Sequence, residues 1–171
     1  MKETARLGLI LFTICFVAAG LLSLVNKLTA SQIEIQKEKE EKRALEEVLK
    51  EANNFQVVKE NNEVIYYKAL DDNKKIIGYV FKARQRGYSS DIETMVGINV
   101  KGKILAIRLL SQNETPGLGS RITESEFTDR FKNKDLKSFN EVDTITGATI
   151  SSKAVIDSVK QKLEEILKKI N

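Results

Sequence analysis

The stretch DTITGATISSKAV, Asp143 to Val155, gathers the hydroxyls of Thr146, Thr149, Ser151 and Ser152 around Gly147 and Ala148, directly before a segment of helical periodicity. A helix opening near Ser151 would turn unpaired backbone N–H groups and the positive end of its dipole towards that turn, an arrangement suited to phosphate. Gly147 and Ala148 are small enough to let a bulky phosphate-bearing group reach the backbone, and the hydroxyls supply donors or an attachment oxygen. The competing account is that Thr149 or Ser151 caps the helix and does nothing else.

Two further stretches have loop chemistry. In ETPGLG, Glu114 to Gly119, Pro116 followed by Gly117 pre-sets a turn with positive φ at the glycine, and Gly119 keeps the chain thin beside Leu118. Such a loop can press Leu118 against a flat ring while Glu114 and Thr115 offer polar contacts; it can equally be a plain surface turn. In RGYSSDIETMVGIN, Arg86 to Asn99, Gly87 and a polar run precede a strand pattern, which alone indicates only a loop.

What is missing narrows the chemistry. The 171 residues include no histidine, so imidazole bases, Ser-His or Cys-His nucleophiles and His-ligated metals are excluded. The single cysteine, Cys15, cannot form an intrachain disulfide or a CxxC pair. With 28 Lys+Arg against 24 Asp+Glu, the net charge of +4 is small and dispersed, and no aromatic-rich basic strip accompanies it, which argues against nucleic acid. These absences favour chemistry borrowed from a bound group over side-chain catalysis.

Those loops need a scaffold. Leu7 to Val25 is uncharged and reaches roughly 28 Å as a helix, about one hydrocarbon core, which predicts a transmembrane anchor; a cleaved signal peptide is the rival reading. Lys2 and Arg6 favour a short cytoplasmic N-terminus, residues 1–6, with the bulk of the chain outside. Ser31 to Ala52 predicts a stalk helix that places Leu45, Val48, Leu49 and Ala52 on one apolar stripe, within a stalk set at residues 26–55. EVIYYKAL and KIIGYVFKA flank DDNK, and MVGINV and ILAIRLL flank KGK, so two antiparallel hairpins follow. A short helical piece falls near Glu124 to Phe131, and Val155, Val159, Leu163, Ile166 and Ile170 line one face of a last helix. The expected class is α+β, with residues 56–171 forming the extracytoplasmic domain.

Taken in order, the N-terminal apolar helix, GYSSDIETMVGIN, ETPGLGSRI and DTITGATISSKAV resemble the FMN-binding RnfG subunit of the Rnf ion-pumping electron-transport complex and the related NqrC subunit of the sodium-pumping NADH:quinone reductase. The resemblance spans essentially the whole chain. It implies FMN carried by a phosphodiester on the last threonine of a (Ser/Thr)-Gly-Ala-Thr signature, here Thr149, with Thr146 where the family usually has serine. It implies surroundings drawn from Thr146, Gly147, Ala148, Ser151 and Ser152, with the ring near Leu118 and Glu114, Thr115 and Gly117 in the neighbouring loop. It further implies a separate flavin transferase that uses FAD as donor, neighbouring redox and membrane subunits, and a plasma-membrane location in the lipid bilayer. The chain would then serve as a redox subunit of a translocase coupling ferredoxin:NAD electron transfer to Na⁺ or H⁺ movement, without catalysis of its own. Its compact length favours the Rnf type over the quinone-reductase type. A stand-alone anchored FMN carrier and a colourless tethered binding module are the other classes.

Overall fold

The computed structural model describes residues 2–60 and 63–170. These fall into two compact units, residues 1–40 and 41–171. The first unit is helical throughout its described length, within α1 (Lys2–Val48). Its apolar window is long enough to cross a bilayer and none of it is buried against protein, so Leu11, Phe12, Phe16 and Leu22 stand exposed.

In the second unit the chain runs β1 (Asn54–Glu60), β2 (Glu63–Leu70), β3 (Ile76–Arg86), β4 (Asp91–Asn99) and β5 (Ile104–Ser111). The described strands form one antiparallel five-stranded sheet in sequence order, so each strand pairs with its chain neighbour. Turn chemistry fixes the two predicted hairpins. Asp71 Oδ1 accepts the N–H groups of Asn73 and Lys75, and Asn99 Oδ1 accepts those of Lys101 and Lys103, with Gly102 at a φ of 76°. β1 was not expected. Its sequence NFQVVKE leaves both faces largely exposed, so it carries no alternating apolar signal and is held through its ladder to β2.

The two faces of the sheet serve different cores, as the period of two requires. From β3 and β4, Phe81, Ala83, Ile92, Val96 and Ile98 meet α3 (Thr149–Ile170), whose Val155, Val159, Leu163 and Ile166 are fully buried. Each of these four contributes about 1.5–3 kcal/mol of apolar burial. Val80 and Met95 point the other way, onto Ala44, Leu45, Val48 and Leu49 from the end of α1. Gly97 permits that approach, because a Cβ there would lie 2.5 Å from the carbonyl oxygen of Val48. The predicted stripe is therefore the packed face, but the helix closes at Val48 rather than Ala52. Leu49 to Asn53 turn the chain instead, with Ala52 N–H donating to the Leu49 carbonyl.

Between β5 and α3 the chain makes short turns of helix: a 3₁₀ turn at Gly119–Thr123, α2 (Ser125–Thr128), and 3₁₀ turns at Asp129–Phe131 and Phe139–Glu141. Phe127, Phe131 and Phe139 pack edge to face in sequence, with centroids 5.3 and 5.9 Å apart, and tie this irregular segment to the main core.

Candidate cofactor site

α3 opens at Thr149, two residues earlier than its apolar pattern suggests. The turn before it is built by Ser152. Its fully buried hydroxyl donates to the Ala148 carbonyl at 2.8 Å and accepts the Ile145 N–H at 3.1 Å, while the Ala148 N–H returns to the Ile145 carbonyl at 2.9 Å. Gly147 completes the turn with a φ of 84°, a conformation that disfavours any residue with a Cβ. Upstream, Arg130 donates from one guanidinium nitrogen to the carbonyls of Asp143 at 3.0 Å and Thr144 at 3.2 Å, fixing the entry to the turn. Sequence reading missed this role of Arg130, because no local spacing links it to Asp143.

Ser151 and Ser152 are thus occupied with protein partners. Ser151 donates to Glu114 Oε2 at 2.5 Å. The hydroxyls of Thr146 and Thr149 differ: both residues are exposed, and among the described residues neither hydroxyl has a hydrogen-bond partner. Nor do the N–H groups of Thr149, Ile150 and Ser151, the first three of α3, find an acceptor among the described residues. The residue at the cap position is Ala148, which has no side-chain acceptor. The capping account of Thr149 and Ser151 therefore fails on geometry. What remains is a long helix whose first N–H groups are open to an anion, with a free hydroxyl at its first residue.

The ETPGLG loop lies against this helix start. The Leu118 N–H donates to the Thr115 carbonyl at 3.2 Å with Gly117 at a φ of 73°, closing the turn expected from Pro116–Gly117. Gly119 is required for contact: a Cβ there would sit 2.8 Å from both Glu114 Cβ and Ser151 Oγ. Glu114 itself is 5% exposed, and its carboxylate is taken up by the protein. Besides Ser151, it accepts the N–H groups of Tyr88, Ser89 and Ser90 at 3.0–3.1 Å. Burial pushes its pKa up, but the Ser151 hydroxyl and the three backbone donors outweigh burial and hold it below the ordinary value. This carboxylate joins its own loop to the loop at residues 88–90 and to the start of α3. Thr115 stays exposed at the rim.

A cavity of about 540 Å³ opens where these pieces meet, lined by Tyr88, Glu114, Thr115, Leu118, Gly119 and residues 147–151. Leu118, Ile150 and Tyr88 are 52%, 57% and 68% exposed and give it an apolar and aromatic wall. The sequence reading named Leu118 but neither Ile150 nor Tyr88. Ile150 falls off the buried stripe of α3, and that was its available signal. A larger groove of about 720 Å³ runs along β5 beside Val48 and Leu49, edged by Lys50, Glu51, Asp129 and Lys132. It has mixed charge, and the helix start on its edge belongs to the one-turn α2. Among the described residues no cluster of His, Cys, Asp or Glu is arranged for a metal. The small cavity, by contrast, combines anion-binding N–H groups, a free hydroxyl and an apolar wall, which fits a phosphate-bearing planar cofactor.

Comparison with known proteins agrees with that chemistry. Residues 87–164 match the FMN-binding domain model and residues 1–48 the RnfG N-terminal region. The G subunit of the ion-translocating oxidoreductase complex of Methanosarcina acetivorans is 32% identical over 96% of this chain and 95% of that protein. The G subunit of the Na⁺-translocating ferredoxin:NAD⁺ oxidoreductase complex of Acetobacterium woodii is 31% identical over 95% and 91%. Among solved structures, the C subunit of the Na⁺-translocating NADH-quinone reductase from Parabacteroides distasonis superposes with a TM-score of 0.61, at 18% identity, over 81% of this chain and 96% of that one. NqrC from Shewanella oneidensis gives 0.51 at 21% identity over 71% and 73%, and both establish the fold. With an FMN-binding domain, an apolar anchor helix and near-full-length relatives of one kind, the chain belongs to the RnfG family, the G subunits of the Rnf-type ion-translocating oxidoreductase complexes.

Proposed function

We propose that this protein is the membrane-anchored flavoprotein subunit of an Rnf-type complex and carries its FMN as a phosphodiester on Thr149. The observation that carries the reading is the α3 start: three N–H groups without acceptors and an unpartnered Thr149 hydroxyl among the described residues, at the mouth of an apolar cavity, in a chain whose matching domain is FMN-binding. Bound FMN supplies one- and two-electron transfer. The chain's own residues hold it. The N–H groups of Thr149, Ile150 and Ser151 would receive the phosphate, Gly147 would leave room beside it, and Tyr88, Leu118 and Ile150 would offer the ring an apolar wall.

Attachment is assigned to a separate flavin transferase, as the resemblance to the family implies, and Thr149 then needs no base from its own chain. A flavin transferase using FAD would join the Thr149 oxygen to the FMN phosphorus and break the pyrophosphate bond. AMP would leave, the hydroxyl proton passing to its phosphate or to solvent. Relatives named as ferredoxin:NAD⁺ oxidoreductase subunits support electron relay between neighbouring subunits coupled to Na⁺ or H⁺ translocation. The length and apolar character of the segment in α1 support an anchor in the bilayer, and Lys2 and Arg6 ahead of it support an extracytoplasmic second unit.

Purification of the protein from its native membrane tests this directly. Co-elution with other membrane subunits, and a flavin-fluorescent band that survives a denaturing gel, are expected. A fluorescent band migrating alone from gently solubilised membranes would favour a stand-alone carrier, and a colourless band would defeat the flavoprotein reading. Protease added to sealed spheroplasts should digest the second unit; complete protection would place it inside.

A further inference from the structure

We propose that the charge of Glu114 sets the reduction potential of the flavin held against the Thr149 turn. The proposal rests on the FMN reading above and deepens it. Of the ten residues lining the cavity, nine are uncharged at neutral pH and the tenth is Glu114; no lysine or arginine lines it. The carboxylate cannot swing away. Oε1 accepts the Ser89 and Ser90 N–H groups, both at 3.0 Å, and Oε2 accepts the Tyr88 N–H at 3.1 Å and the Ser151 hydroxyl at 2.5 Å. Two glycines leave the backbone bare around it. A Cβ at Gly87 would lie 2.7 Å from Oε1, and one at Gly119 3.1 Å from Oε2.

A group this enclosed is screened weakly, so its negative charge acts over several ångströms. Reduction adds electron density to the flavin ring, and a fixed anion in the wall opposes it. Glu114 therefore keeps the bound flavin a stronger reductant than an uncharged pocket would. The same carboxylate also locks the Tyr88 loop to α3, which is why its loss must be examined by charge as well as by shape.

The test is a spectroscopic redox titration of the full-length, detergent-solubilised protein, produced with its flavin transferase and checked by intact mass. Glu114→Gln keeps the shape, and one oxygen can still receive Ser89 and Ser90. At the wild-type midpoint its reduced-to-oxidised ratio should rise at least roughly threefold, while Glu114→Asp, which retains the charge, should stay within about twofold of wild type. A flavin-loaded Glu114→Gln protein with the wild-type ratio overturns the proposal, as does an equal shift in Glu114→Asp. Should Glu114→Gln arrive without flavin, a partner of the carboxylate decides. Ser151→Ala takes one neutral donor from the carboxylate and leaves its charge less balanced, so the ratio should fall; an unchanged or raised ratio overturns the proposal. A wild-type chain lacking the FMN mass overturns the flavin reading itself, and this inference with it.

Discussion

Ser152 and Ser158 lie on the same helix, both buried, both with hydroxyls bonded to backbone, and alanine at the two positions should have very different effects. Ser158 Oγ only donates, to the Val155 carbonyl at 3.0 Å, so its removal strands no donor, and alanine is the better helix former. Ser152 Oγ is the sole acceptor of the Ile145 N–H among the described residues, and Ile145 is 5% exposed. Ser152→Ala leaves that N–H buried without a partner, at a cost of about 1–3 kcal/mol. The Ala148 carbonyl loses the hydroxyl but keeps the Ser152 N–H at 2.9 Å, so it adds little. Taking about 2 kcal/mol and roughly 3–5 °C per kcal/mol for a unit of this size, Ser152→Ala should melt roughly 6–10 °C below wild type. Ser158→Ala should stay within about 2 °C. Circular dichroism melts of the solubilised full-length protein measure both. Equal melting temperatures for the two variants would refute the claim that Ser152 holds the turn in front of Thr149.

Other substitutions probe neighbouring parts of the account. Gly147→Ala should cost about 1–2 kcal/mol in urea unfolding, because the strain lies in its φ of 84°: the nearest atom a Cβ would meet is Leu118 Cδ2 at 3.8 Å. Gly147→Asn, which tolerates that conformation better, should lose less. Glu114 is held below its ordinary value near 4.5, since the Ser151 hydroxyl and backbone donors prevail over burial. Its contribution is therefore present above about pH 4.5 and lost as pH falls through the depressed folded value. Denaturation midpoints taken from pH 6 downwards should fall, and Glu114→Gln should flatten that slope; an unchanged slope would count against the bonding described. Leu163→Ala, at a fully buried core position, should cost about 2–5 kcal/mol in the same urea assay while leaving the cavity residues in place.

The elements legible in the sequence were those whose own residues carry the signal. The hairpins announced themselves through strand-like runs flanking DDNK and KGK, and α3 through Val155, Val159, Leu163 and Ile166. β1 was hidden because an edge strand with two exposed faces needs no apolar alternation. In the candidate site, the type and order of residues around Thr149 were readable, but their division of labour was not. That the hydroxyls of Ser151 and Ser152 have protein partners while those of Thr146 and Thr149 stay free depends on where Glu114 and Ile145 lie in space. Arg130 and Tyr88 join the site across the chain, through the Asp143 carbonyl and the Glu114 carboxylate, at separations no local pattern records.

The central claim is that Thr149 alone bears the flavin. Intact mass of the chain extracted from its native membrane, beside Thr149→Ala and Thr149→Ser, measures it most directly. The expected masses are the chain plus one FMN less one water for wild type, the bare chain for Thr149→Ala with its fold retained, and at least partial loading for Thr149→Ser, which keeps a hydroxyl. A bare wild-type chain, or an FMN increment that persists in Thr149→Ala, would contradict it.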